Sequence, residues 1–225
     1  GTDPRSKRGG IGFALPGYLE ALRSAKIEYI SIPTYHPEAP GGSWWWWLQA
    51  FPRLGHSIFA AHNLGKQVVV YSHPGAGFSL MREMFVTAFA RVLGARTVSQ
   101  IHAPEVAGYL KHPLKNLLFR IAILPASGLA VLTPWWKRTL LSAGVRKSIF
   151  VIPNPLPLQW EETAKELRQK GINKNGPLVV LTLSRIVPGK GVDLVVESMP
   201  LLPENQILVI AGDGSQLAEI KQRVQ

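Results

Sequence analysis

Arg185 and Lys190 flank a Pro-Gly turn in SRIVPGKG (184–191), where Gly191 opens a helical pattern. A guanidinium fork, an ammonium and the free N–H groups of a helix start converge well on a diphosphate, although the same residues also suit an ordinary solvated loop. A second turn, GDGS (212–215), places Gly212 and Gly214 ahead of another helix. Glycine there permits close backbone approach to a ligand and equally serves any tight turn. The spacing is not GxGxxG, which argues against a dinucleotide-dependent dehydrogenase. In KRGGIG (7–12), Gly10 could turn a backbone N–H toward a phosphate or a sugar, or belong only to a tail. His73 in YSHPG and His102 in IHAPE each follow an apolar run. A histidine there can bond a sugar hydroxyl or manage a proton, or be a loop residue without a role. Glu105 is either a catalytic acid or a helix-capping one. Cysteine is absent, which excludes thiolate zinc and cysteine nucleophiles, and the six histidines lack metal-ligand spacing.

These residues need a scaffold, and the chain alternates two kinds of segment. Short β-branched runs at 27–33, 67–72, 96–101, 128–133, 148–153, 178–183 and 206–211 read as buried parallel strands. Helical patterns fall near 11–24, 44–64, 79–93, 106–123, 134–143, 159–171, 191–199 and 215–225. Such a rhythm predicts an α/β, doubly wound fold, in which ligands bind beyond the carboxyl ends of the strands. Ser79 starts one helix and Gly94 closes it, while Thr133-Pro134 starts another. Pro16 predicts a kink or a late start for the first helix. The prolines of VIPNPLPLQW (151–160) mark a connection, so the expected domains are 1–157 and 158–225.

The net charge of +11 is uneven: residues 1–174 hold 21 Lys+Arg against 9 Asp+Glu, and residues 175–225 hold 4 against 5. The first domain therefore favours anionic partners: nucleic acid, acidic lipid or phosphorylated substrate. No apolar run reaches the roughly eighteen residues that span a bilayer, and no signal peptide is recognisable. A cytoplasmic chain with a natural start farther upstream is the expectation.

Taken in order, these motifs resemble glycosyltransferase family 4, retaining enzymes of the GT-B type, over nearly the whole chain. The most specific part is TLSRIVPGKGVDLVVESMPLLPENQILVIAGDG (182–214); GGI (9–11), the His102 loop, VLTPWWKRTL (131–140) and VIPN (151–154) support it. The resemblance implies a Rossmann-like acceptor domain followed by the first part of a second Rossmann-like domain that binds a nucleotide-sugar. It implies that Arg185 and Lys190 hold the donor diphosphate, that Gly10 approaches it, that His102 contacts the transferring sugar, and that Gly212 and Gly214 line the nucleotide pocket. His73 and Glu105 would stand on the acceptor side. It implies no cofactor and no metal, with UDP- and GDP-linked donors not distinguished. The acceptor would be a saccharide or lipid-linked, in surface polysaccharide or glycolipid synthesis.

The sequence departs from that family in lacking a strand before GGI and in ending before a pair of glutamates spaced by seven residues. Weak donor binding and little or no turnover are expected of the chain as it stands. Trp44 to Trp47 read either as a surface for an anionic membrane, giving peripheral placement at its inner face, or as rings packed on and around the sheet. A catalytically silent remnant, or a basic lipid- or nucleic-acid-binding protein, is the alternative. No recognition helix or RNA-binding signature points to nucleic acid, so none is expected as a partner.

Overall fold

The computed structural model describes residues 9–36, 42–170 and 176–224. Backbone packing divides the chain into two compact units, Gly1–Ala164 and Lys165–Gln225. In the first, β1 (Val69–Ser72), β2 (Arg96–Ile101), β3 (Gly128–Val131) and β4 (Ser148–Val151) form a parallel sheet in that order. Its register sets Ser72 against Ser99, Val98 against Gly128 and Gly128 against Ser148. Parallel neighbours need crossovers. Here α3 (Phe78–Val92), the pair α4 (Val106–Lys111) and α5 (Pro113–Ala122), and α6 (Pro134–Ser142) supply them. β3 is buried throughout, which is why it reads as a continuous apolar run. The main core joins Ile101, Leu129 and Val131 of the sheet to Phe119, Ile123 and Leu140.

Two more helices, α1 (Gly9–Ser24) and α2 (Gly42–Asn63), precede the sheet. α1 continues through Pro16 as one helix. It lies close on the segment after β4: a Cβ on Gly17 would stand 2.5 Å from the Pro155 carbonyl oxygen. Glu20 accepts the Leu158 N–H at 2.8 Å. That bond holds the start of α7 (Leu158–Gln169), within which the two units divide. In the second unit β5 (Leu178–Leu183) and β6 (Gln206–Ala211) pair in parallel, with α8 (Val192–Ser198), a 3-10 turn (Met199–Leu201) and α9 (Leu217–Arg223). Ile186, Val192, Val196 and Ile220 form its core. Among the described residues no helix is long and apolar enough to cross a membrane.

Three local expectations fail for physical reasons. Residues 27–33 form no ladder with the described strands, and Ile27 and Ile30 are exposed. β-branched composition makes a strand only where a partner supplies the hydrogen bonds. The helix expected over 106–123 breaks at His112, extended at φ −106° and ψ 123°, because Pro113 disfavours the helical region for the residue before it. α3 is capped by Gly77 at φ 56° without a side-chain bond, and Ser79 Oγ instead accepts the Gly75 N–H at 3.2 Å. Thr133 does cap α6, accepting the Trp136 N–H, and Gly94 closes α3 at φ 86°.

Candidate functional site

His73 and His102 each stand one residue beyond a strand, and β1 and β2 are adjacent and parallel. Their imidazoles therefore meet at the carboxyl end of the sheet, His73 Nδ1 lying 3.0 Å from His102 Nε2. Burial pushes the His73 imidazole down to about 3, with the neighbouring His102 adding to the effect, and burial alone pushes His102 down to about 4. Both rings are neutral at neutral pH, so one donates its N–H and the other accepts. Tyr18 of α1 packs edge-on to His73 at 5.2 Å between centroids, and Tyr71 of β1 lies 5.0 Å from it. The Tyr71 hydroxyl donates to Gln100 Oε1 at 2.7 Å, and Gln100 Nε2 donates to the Ile152 carbonyl at 2.9 Å. Burial raises the pKa of both tyrosines, so they remain protonated donors. Beneath the pair, Ser72 Oγ lies 2.8 Å from Ser99 Oγ and 3.3 Å from Thr87 Oγ1. The whole assembly orients two neutral imidazoles, suited to bonding hydroxyl groups rather than to neutralising phosphate.

A second polar group was not anticipated as a site. Arg82 and Glu83, in the second turn of α3, are both buried, with Arg82 Nη2 3.4 Å from Glu83 Oε1. Thr34 donates its hydroxyl to Glu83, and the Arg82 guanidinium lies 5.0 Å over the Tyr35 ring. Glu105 takes the cap position of α4 but forms no side-chain cap bond and is exposed. Gly10 lies in the first turn of α1, where helix N–H groups lack intrahelical partners. A Cβ there would meet nothing within 4 Å, so packing does not require glycine. Lys7 and Arg8 of the same motif lie outside the described residues.

In the second unit Arg185 and Lys190 are both exposed on the loop that follows β5. Gly189 at φ 81° and Gly191 at φ 72° let that loop turn sharply into α8. The turn after β6 is fastened to it. Ile186 N–H donates to the Asp213 carbonyl at 2.8 Å, and Gln216 N–H donates to the Ile186 carbonyl at 3.0 Å. A Cβ on Gly212 would fall 1.9 Å from the Ser184 oxygen, and one on Gly214 would fall 2.2 Å from the Ile186 oxygen. Both glycines are thus demanded by the close approach of two loops. The result is a ledge at the carboxyl ends of two parallel strands, with Arg185 held between anchored neighbours.

This ledge lies inside a segment that matches known proteins. Residues 163–225 match the family model described as glycosyl transferases group 1. The matched segment opens within α7 and takes in the entire second unit. The chain is also 31% identical over 134 residues to the uncharacterized glycosyltransferase YqgM of Bacillus subtilis (strain 168), an alignment covering 56% of this chain and 35% of YqgM. Among solved structures it is similar to HepE of Anabaena, determined in complex with UDP and glucose, at a TM-score of 0.54 and 16% identity, covering 100% of this chain and 63% of that one. The chain therefore spans about a third of the curated relative's length and under two thirds of HepE. The likeness to HepE concerns the fold, and the α/β, Rossmann-like class of the GT-B type expected from the sequence is the one found.

Two site features escaped the sequence reading. Gln100 is a polar residue inside a buried strand run, and that misplacement was the available signal. Arg82 and Glu83 carried none, since charged residues near a helix start are ordinarily solvated.

Proposed function

We propose that this chain serves retaining transfer of a sugar from a nucleotide-sugar to an acceptor hydroxyl, as a member of glycosyltransferase family 4. The observation that carries this reading is the ledge bearing Arg185 and Lys190 within the group 1 segment. Departure of a nucleoside diphosphate concentrates negative charge on the terminal phosphate oxygens, and two preorganised cations lower the energy of that charge. They take the part that a divalent metal plays elsewhere, so transfer runs without a metal or other cofactor. Gly10 contributes a backbone N–H to the donor phosphates, and Gly212 and Gly214 keep the nucleotide wall low. The neutral His102 imidazole bonds a hydroxyl of the transferring sugar, His73 fixes its tautomer, and His73 and Glu105 border the acceptor. The acceptor is a saccharide or a lipid-linked one, in surface polysaccharide or glycolipid assembly. UDP is the first nucleotide to test because HepE was determined with it, and GDP is the second.

Saturation-transfer NMR of UDP and GDP in the presence of the chain tests the reading. One of the two is expected to bind whether or not EDTA is present. Arg185→Ala and Lys190→Ala should each weaken it about tenfold, the scale of one charge-assisted hydrogen bond. Absence of binding by both nucleotides, or binding indifferent to both substitutions, overturns the proposal.

A further inference from the structure

We propose that the outer face of α5 docks on an anionic lipid bilayer. Leu114, Leu117, Leu118 and Ile121, with Leu124 just past the helix end, are all more than half exposed. Their spacing of three and four residues puts them on one stripe along the helix. Phe119 on the opposite side is the helix's buried residue. The helix thus turns its apolar face outward while one ring anchors it to the core. Lys115 borders the stripe on one side and Arg120 on the other, both exposed.

The stretch of sequence that holds this stripe carries charge of a single sign. Between Glu105 and Glu161 the sequence holds seven Lys and Arg residues and no Asp or Glu. At the end of α5 a cleft of about 280 Å³ is lined by Leu117, Ile121 and Leu124 together with Arg120, Arg146 and Lys147. Lys147 Nζ also donates to the carbonyls of Leu124 (3.1 Å) and Ala126 (2.6 Å), fixing a positive charge at the helix end. An apolar stripe with a cationic border matches the layered chemistry of a bilayer surface, acyl chains below and anionic headgroups above. A second copy of the chain fits poorly, because two cationic borders would face each other. Nucleic acid fits poorly as well, since the stripe offers aliphatic side chains where stacking needs rings.

The proposal goes beyond sugar transfer and stands apart from donor binding. Its test is flotation of the full chain with vesicles of phosphatidylcholine, with and without roughly a third phosphatidylglycerol, at low and high salt; each cation near such a surface is worth about fivefold in partitioning. The chain should float with the anionic vesicles, more weakly at high salt, and much less with the neutral ones. Leu117→Asp combined with Ile121→Asp should cut binding at least about tenfold, because buried apolar area drives insertion. Lys115→Ala with Arg120→Ala should lower it and flatten the salt dependence. Trp45→Ala on α2 should leave it unchanged, and every variant should bind UDP or GDP as the parent does. Circular dichroism checks folding, and the charge-neutralising pair decides alone if the aspartate variant misfolds. No flotation with anionic vesicles, equal flotation with neutral ones, indifference to both α5 variants, or capture by an oligonucleotide in place of vesicles would overturn the proposal.

Discussion

His73 follows β1 and His102 follows β2, so each position is legible in the chain; their meeting at 3.0 Å is not, because it depends on strand order. Their shared burial makes a testable claim about pH. In the unfolded chain both titrate near the ordinary value of about 6.5, whereas in the fold they titrate at about 3 and about 4. As pH falls below about 6.5 the unfolded state binds protons that the folded state refuses, and stability declines. The depressed values mean that this contribution is fully present above the unfolded pKa and is lost on acidification. The limiting slope is about 1.4 kcal/mol per pH unit for each imidazole, and partial solvation keeps the pair below twice that. All seven tryptophans lie within Gly1–Ala164, so their fluorescence reports this unit. Urea midpoints followed by that signal should drop from about pH 7 to about pH 5. The double substitution His73→Gln, His102→Gln should flatten the drop. A flat parent profile, or an unchanged slope in the variant, would refute the buried neutral pair. Gly212 and Gly214 teach the complementary point. Sequence marked them as ligand-lining turns, while the structure adds that no Cβ fits against Ser184 and Ile186.

At the scale of elements, α2 shows how side-chain packing sorts a conspicuous composition. Four consecutive tryptophans read as membrane-facing or as packed on the sheet; Trp44 and Trp47 pack among phenylalanines of α2 and α3, and Trp46 stacks on His36 at 5.3 Å. Trp44 meets Phe78 at 5.1 Å, Trp47 meets Phe51 at 5.2 Å and Phe85 at 6.1 Å, and Phe51 meets Phe89 at 5.2 Å. Trp44, Trp47 and Phe51 are spaced by three and four residues, so helical periodicity contained the answer. Trp47 also donates its indole N–H to the Arg82 carbonyl at 3.2 Å, tying the helix pair to the segment that carries the buried Arg82 and Glu83. Trp47→Ala should therefore cost about 2–4 kcal/mol, somewhat below a fully buried truncation. Trp45 is 59% exposed, and Trp45→Ala should stay within about 0.5 kcal/mol. Urea denaturation of both variants checks the contrast, and equal losses would mean that the aromatic stack does not join the helices. The elements that sequence misjudged failed for separate reasons. Residues 27–33 needed a ladder partner, and 106–123 needed the steric rule at Pro113, which overrode a good apolar pattern.

Across the whole molecule, alternation of strand and helix patterns was enough to give the class, because each period is written locally. Division into units depends on which residues pack together: the prolines suggested a boundary near 157, and backbone packing divides the chain after Ala164, inside α7. The two units differ in how deeply they bury their strands. Leu129, Ala130 and Val131 of β3 are fully buried, while no residue of β5 is buried and Leu181 and Leu183 are exposed. The main core of the first unit spans several helices and three strands; the second rests on four buried side chains, Ile186, Val192, Val196 and Ile220. Local opening is governed by buried apolar contact, so backbone amides of the second unit should open far more often than those of the central sheet. Hydrogen exchange read by mass spectrometry should show peptides covering β2 and β3 protected longest, with those covering β5 and β6 exchanging at least about tenfold faster, a gap of only about 1.4 kcal/mol in opening free energy. Equal protection in both would mean that the second unit gains stability from contacts beyond its own core. Faster exchange there that slows on adding UDP or GDP would tie the same ledge of Arg185 and Lys190 to ligand, because binding to the closed form suppresses opening by mass action.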